Sequence, residues 1–451
     1  MKKEMMKTMT GIMTAAMLVP TFAGISASAA KDVAINKKNF PDKGFRAYVT
    51  KKDTNHDKKL SSKEAGQVKS MWVTKGTFKN LKGISVFYNL ESVHIERSDL
   101  IKADFGKLKK LKKIELNENL LTSVNISKCP NLESVTITKN RLKNIDVSKN
   151  KKLKLLNVNG NFLTKLDVSK NKKLETLRVG SNNLENLDVS NNPVLNKLFA
   201  SRNILTSVKM NGNKKLAELD LSVNNLKTVD LSGAPNLVEL DLGFNMIKSI
   251  DLSKAPKIKN LSIEENEFVE IDTTVLNNIN KYSVYAGAQR AYAPADANGQ
   301  YNLSNYPVTH LESLKLGYTF RDAESNILEY NIPFGSTQRE NVMHFTFRDG
   351  NNAETTGYFV NTTPITWKKA QGGKKEAVLE WSEIPGATTY EVTRYDLANM
   401  ERKVFGNNPD TSFTDTSVRK GCTYLYVVTS DFDGTMGNAA SRSTIVAVNV
   451  K

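Results

Sequence analysis

Cysteine is nearly absent. The two in 451 residues, Cys129 and Cys422, fall in regions of different character, so no disulfide framework stabilises the chain. Histidine is also sparse, and His56, His94, His310 and His344 are scattered along the sequence. No H-E-x-x-H, G-x-S-x-G or phosphate-cradling glycine loop occurs, which leaves zinc, acyl-transfer and nucleotide chemistry without their usual scaffolds. Paired carboxylates are present, but they belong to a repeating lattice, whereas a glycosidase needs two of them in a cleft. The chain is therefore expected not to be an enzyme. It also lacks an LPxTG-type sorting motif, a lipid-bearing cysteine after the leader and an apolar tail beyond residues 445–451, so attachment to a surface would be noncovalent.

The N-terminus carries Lys2, Lys3 and Lys7, then apolar residues 8–25, then Ala27, Ser28, Ala29 and Ala30. That order reads as a secretory signal peptide over residues 1–30, cut after Ala29 or Ala30. A membrane anchor is the alternative, but the stretch is short and interrupted by Pro20. The mature chain is expected to be secreted, extracellular or noncovalently associated with a cell wall, with no transmembrane segment. Its formal charge of +17 falls to +15 once three lysines and one glutamate leave with the leader. A surplus of that size favours anionic wall polymers, glycans or membranes as partners; nucleic acid is not expected among them.

From position 119 to position 266 an asparagine returns at one constant interval, at Asn119, Asn140, Asn161, Asn182, Asn203, Asn224, Asn245 and Asn266. A fixed period of this length marks a repeat architecture. An aliphatic residue stands eight positions ahead of each asparagine, and two more follow, as in Leu216, Leu219 and Leu221 before Asn224. The alternation Leu219, Asp220, Leu221 has the period of two that sends aliphatics inward and polar groups outward on a strand. One such strand cannot bury its face alone, so stacked units must share a core. The asparagine is expected to satisfy backbone groups buried where the chain turns after the strand. Cys129 stands in a second slot, held later by Asn150, Asn171 and Asn192, and reads as a buried structural thiol.

The phrase L-x-x-L-x-L/V-x-x-N, with a second half such as Leu163, Leu166, Asp167 and Val168, resembles the leucine-rich repeat in its short bacterial, internalin-like form. The resemblance implies a mainly β solenoid over residues 79–276, whose first strands line a concave binding face.

Residues 31–78 are expected to cap the first unit with a small helical segment. Within them Asp53, Asn55, Asp57, Lys59, Ser61 and Glu64 fall at positions 1, 3, 5, 7, 9 and 12 of a loop that resembles an EF-hand, which implies Ca2+ as a cofactor. Lys58 occupies the position where the loop's turn favours glycine, and Lys51, Lys52 and Lys63 dilute the attraction. A helix-capping loop with solvated acids is the other reading. Residues 277–362 carry strand-like phrases (Tyr282 to Tyr285, Leu314 to Tyr318, Ile332 to Phe334, His344 to Phe347) and read as an antiparallel β module capping the far end. Residues 363–451, with Trp381, Pro385, Gly386 and Tyr424, resemble a fibronectin type III sandwich in which Trp381 is buried and Tyr424 is the corner tyrosine.

Two surfaces stand out from the lattice. Lys149, Lys151, Lys152, Lys170, Lys172 and Lys173 crowd the turns before successive units, either as a solubilising edge or as a basic ridge for anionic polymers. On the concave face the outward positions change from Leu155, Arg178 and Phe199 to Asp220, Glu239 and Asp241. Arg178 and Phe199 are expected to anchor a protein or glycan on a host or bacterial surface, in adhesion or recognition, with the acids complementing a basic patch. A structural wall or biofilm component held through the lysine ridge is the alternative function.

Overall fold

A computed structural model describes residues 32–276, 279–287, 289–292, 364–385, 387–431 and 441–451, and the backbone of strands Leu314–Arg321, Ile327–Ile332, Val342–Arg348 and Glu354–Val360. The proposed leader lies outside these residues. Each repeat unit contributes one short strand, and these stack in parallel into an eleven-stranded sheet running from Ser70–Thr74 to Val284–Tyr285. Leu156, Leu177, Leu198 and Leu219 sit opposite one another in register and are buried, while their neighbours on either side face out. The repeat region is a leucine-rich-repeat solenoid with one continuous aliphatic core.

The asparagine ladder joins the units. Asn182 Nδ2 donates to the carbonyls of Val158, one unit back, and Val179, both at 3.0 Å, while its Oδ1 accepts the Leu163 N–H at 3.0 Å. Asn161, Asn203, Asn224, Asn245 and Asn266 repeat that set. The residue before each ladder asparagine is left-handed, with φ between 51° and 67° from Glu118 to Glu265, although Gly160 alone among them is glycine. That conformation costs a side-chain-bearing residue about 1–2 kcal/mol, and the bonded asparagine next to it holds the turn there.

Asn150, Asn171, Asn192 and Asn213 form a second, weaker ladder. Each donates to two carbonyls of the preceding unit, but the buried Oδ1 has no protein partner. Cys129 heads this row, buried, with its thiol pushed up to about 11 by desolvation. The back of most units is turned by an aspartate whose Oδ1 takes the N–H two residues on, as Asp146 does from Ser148 at 2.8 Å and Asp167 from Ser169 at 2.8 Å, with Asn125 in the same role and Lys209 as the exception.

At the N-terminal end, helices Lys43–Thr50 and Ser62–Gln67 close the core with Phe40, Phe45 and Val49. The far end differs from expectation. Residues Lys281–Ser283 form a 3-10 turn, and Val284–Tyr285 adds a parallel strand to the solenoid rather than starting an antiparallel module. Gln289 then extends the ladder: its Nε2 donates to Ile263 O at 2.9 Å and its Oε1 accepts the N–H groups of Asn266 and Phe268. Beyond it lies a five-stranded sheet in the order Gln289–Tyr292, Glu354–Val360, Val342–Arg348, Leu314–Arg321, Ile327–Ile332, whose first pairing is parallel and the rest antiparallel.

Residues from 364 onward form a three-stranded sheet (Trp367–Gly372, Ala377–Trp381, Ser412–Asp415) facing a four-stranded one (Glu401–Asn408, Thr389–Asp396, Thr423–Asp431, Val446–Asn449). Trp381 is fully buried, and the Tyr424 hydroxyl accepts the Arg419 N–H at 2.8 Å. This sandwich packs against the solenoid along the residues that flank the asparagine ladder. Phe162 is buried in the sandwich's core cluster, Ile204 and Val223 pack against it, and Asn225 exchanges hydrogen bonds of 2.8 and 2.7 Å with the Ile445 backbone. No helix among the described residues is long and apolar enough to cross a membrane.

Glu267 lies at this edge, 8% exposed, with Lys248 at 3.6 Å. Burial raises its carboxyl to about 7, against the pull of Lys248. Because the folded value lies above the ordinary one of 4.5, its contribution is fully present below that value and is lost as the pH rises through about 7. Glu267→Gln should therefore raise the unfolding midpoint at pH 8 and change it little at pH 4.5, with a ceiling of about 3 kcal/mol. Equal effects at both pH values in a thermal melt would count against a buried, reluctantly ionised carboxyl.

Candidate concave recognition face

Parallel register aligns one outward residue per unit into rows along the sheet. One row runs His94, Glu115, Thr136, Asn157, Arg178, Phe199 and then Asp220, Asp241, Ser262, Tyr285. Beside it lie Leu155, Lys197, Glu218 and Glu239. The structure thus brings Leu155, Arg178, Phe199, Asp220, Glu239 and Asp241 onto one face. Arg178 and Phe199 are half-buried, and the guanidinium carbon sits 4.0 Å from the ring centroid. Phe199 is thus one half of a cation–π pair, held in place before any partner arrives.

The acids sit in a shallow depression of about 350 Å3 between Phe199 and Tyr285, the latter 62% exposed. Asp220 and Asp241 are in-register neighbours, as are Glu218 and Glu239, so like charges stand one strand spacing apart. Lys197 relieves Glu218 with a 2.5 Å contact. Asp241 has hydrogen bonds from Gly243 and Ser262, yet burial first, and then the charges of Asp220 and Glu264, hold its carboxyl above the ordinary range. A cation entering the depression would offset that repulsion.

The other end of the face carries a feature that sequence analysis missed. Trp72, 70% exposed, stacks on His94 with centroids 3.8 Å apart and planes 10° apart. His94 Nδ1 lies 2.9 Å from Glu115 and Nε2 3.5 Å from Glu96. The alternation Ser70, Met71, Trp72, Val73, Thr74 was the available signal, since it places Trp72 outward on a strand.

In the turns before two successive units, Lys149, Lys151, Lys152, Lys170, Lys172 and Lys173 are all exposed. Lys172 donates to Asn191 Oδ1 at 3.0 Å. The six form a basic edge across two units.

The residues of the EF-hand-like loop hydrogen-bond one another. Glu64, meant to close the site, is committed elsewhere: Oε1 accepts the Thr54 N–H and hydroxyl at 2.6 and 2.7 Å, and Oε2 those of Ser61 at 2.9 and 2.7 Å. Ser61 completes a capping box with it. Asp53 Oδ2 takes the Lys58 N–H at 2.9 Å and Asn55 and Asp57 bond each other, leaving Asp53 Oδ1 as a buried oxygen without a partner. Among the described residues no group of three or more His, Cys, Asp or Glu is placed to hold a metal. The loop fits a hard cation at Asp53 and not at Glu64, because the helix cap uses the bidentate carboxylate. Hydrogen bonds from Thr54 and Ser61 lower the Glu64 carboxyl from 4.5 to about 2, so this clasp persists above the ordinary value and opens only as the pH falls towards 2. Replacing EGTA with millimolar calcium should leave the unfolding midpoint unchanged, while Glu64→Gln lowers it in both buffers. A calcium-dependent rise that Asp53→Ala abolishes would restore the metal site.

No family model matches the chain, and no curated protein matches it. Solved structures do. The functional domain of InlJ from Listeria monocytogenes, which includes a cysteine ladder, is 17% identical over 74% of this chain and 99% of that chain, with a TM-score of 0.31. Internalin InlF of the same organism is 19% identical over 53% and 86%, TM-score 0.32, and internalin C2 is 18% identical over 51% and 96%, TM-score 0.38.

Proposed function

We propose that this is a non-catalytic, secreted or surface-associated recognition protein that takes a protein or glycan partner on its concave face. The observation that carries the reading is the in-register row in which the Arg178–Phe199 pair adjoins the acidic depression ending at Tyr285. Rigid aromatic and arginine groups beside uncompensated acids suit a protein segment bearing lysine or arginine. The leader at residues 1–30 supports export, and the C-terminal sandwich, read as a fibronectin type III-like module, serves as a support docked on the solenoid. A second reading, retention on anionic wall or matrix polymers, is favoured by the exposure of all six ridge lysines.

Capture from host and bacterial surface fractions separates the two. A species retained by the native protein, lost with Phe199→Ala and with Asp241→Asn, and indifferent to replacing the six lysines by Gln supports concave recognition. Retention that disappears with the lysine variant and with added salt, but not with the concave variants, supports the ridge.

A further inference from the structure

The seam between solenoid and sandwich holds an open pocket of about 250 Å3, lined from the solenoid side by Phe244, Glu265 and Arg290 and from the other by Tyr395, Arg402 and Arg442. Its charges do not balance. Arg290 pairs with Glu265, and Arg402 reaches Glu391 at 4.0 Å, which leaves Arg442 with no paired carboxylate among the described residues. Its guanidinium meets the backbone carbonyls of Glu265 and Phe244, each at 3.5 Å and too long to be strong hydrogen bonds, and lies 5.8 Å from the Phe244 ring centroid. Burial lowers its affinity for the proton, while the charges of Tyr395, Tyr292 and Glu267 pull the other way.

A partly buried guanidinium with weakly engaged donors can hold a carboxylate or phosphate through two parallel bonds. The surroundings restrict what else the ligand can be. Phe244 and Tyr395 supply aromatic surface, Thr393, Thr429 and Ser430 supply hydroxyls, and the volume admits a body of about one ring. We propose that this seam is a second binding site, separate from the concave face, for a small acidic ligand: a carboxylate- or phosphate-bearing monosaccharide whose anion sits on Arg442, with Arg402 at the mouth. Because both domains contribute groups, an occupied site holds the sandwich on the solenoid.

Calorimetric titration of the full chain with glucuronate, glucose 6-phosphate and glucose tests this, alongside thermal melts. Binding of either acidic sugar, with a raised unfolding midpoint and no response to glucose, is the expected result. Arg402→Gln should keep the ligand-free midpoint, since that side chain is 55% exposed, and weaken binding several-fold. Arg442→Gln should weaken it by roughly tenfold or more. If neither acidic sugar binds at millimolar concentration, if glucose binds as well as they do, or if Arg402→Gln and Arg442→Gln both bind like the native protein, the seam is not an acidic-ligand site.

Discussion

Asn182→Ala should destabilise the solenoid by about 3 kcal/mol or more, lowering its unfolding midpoint by roughly 6–12 °C. The substitution orphans the buried Leu163 N–H, at about 1–3 kcal/mol, and strips one of two amide donors from each of the Val158 and Val179 carbonyls, which keep Asn161 and Asn203, at about 0.5–1.5 kcal/mol for each bond lost. It also removes the bonds that hold Ser181 at φ 53°. Asn171→Ala in the second ladder should cost less. It loses two donated bonds but also eliminates an acceptor that is buried without a partner. Thermal melts of the two variants beside the exposed Asn144→Ala would show the order. An Asn182 variant as mild as Asn144→Ala would mean that the ladder is not what joins the units.

The second large effect is on binding. Phe199→Ala should weaken the concave-face partner by about 2 kcal/mol, near 30-fold, while moving the unfolding midpoint little, because the ring is half-exposed and packs chiefly on Arg178. Arg178→Lys keeps the charge but loses the flat guanidinium that covers the ring, so it should also reduce affinity. The two side chains act as a unit, and the loss in the double variant should fall short of the sum of the single losses. Titration of the purified partner against each variant measures this. Full affinity in Phe199→Ala together with a large loss of stability would make the ring a packing residue.

The solenoid was legible because its signal is redundant: aliphatics at fixed offsets and asparagine at a constant interval state the same register many times. What the sequence hid depends on contacts between distant segments. Gln289 continues the ladder after Asn266 with a longer side chain and a broken interval, so periodicity passes over it. Phe162, Ile204 and Val223 flank ladder asparagines and are apolar where other units carry Glu118, Arg141 or Asn183; that oddity is explained only by the sandwich that covers them. The acidic loop near the N-terminus reads two ways for a local reason, since a spacing that suits six ligands also suits a capping box, and the hydroxyls of Thr54 and Ser61 claim Glu64. On the concave face, alternation along each strand predicts the outward direction correctly, but the contact of Arg178 with Phe199 and the Trp72–His94 stack require the parallel register of neighbouring units.

Concave recognition is tested most directly by hydrogen–deuterium exchange on the full chain, with and without the captured partner. Binding there predicts slowed exchange in the strands Thr176–Arg178, Lys197–Phe199, Glu218–Asp220 and Glu239–Asp241, with the lysine turns at residues 149–152 and 170–173 unchanged. Protection confined to those turns, with the four strands exchanging as in the free protein, would contradict it.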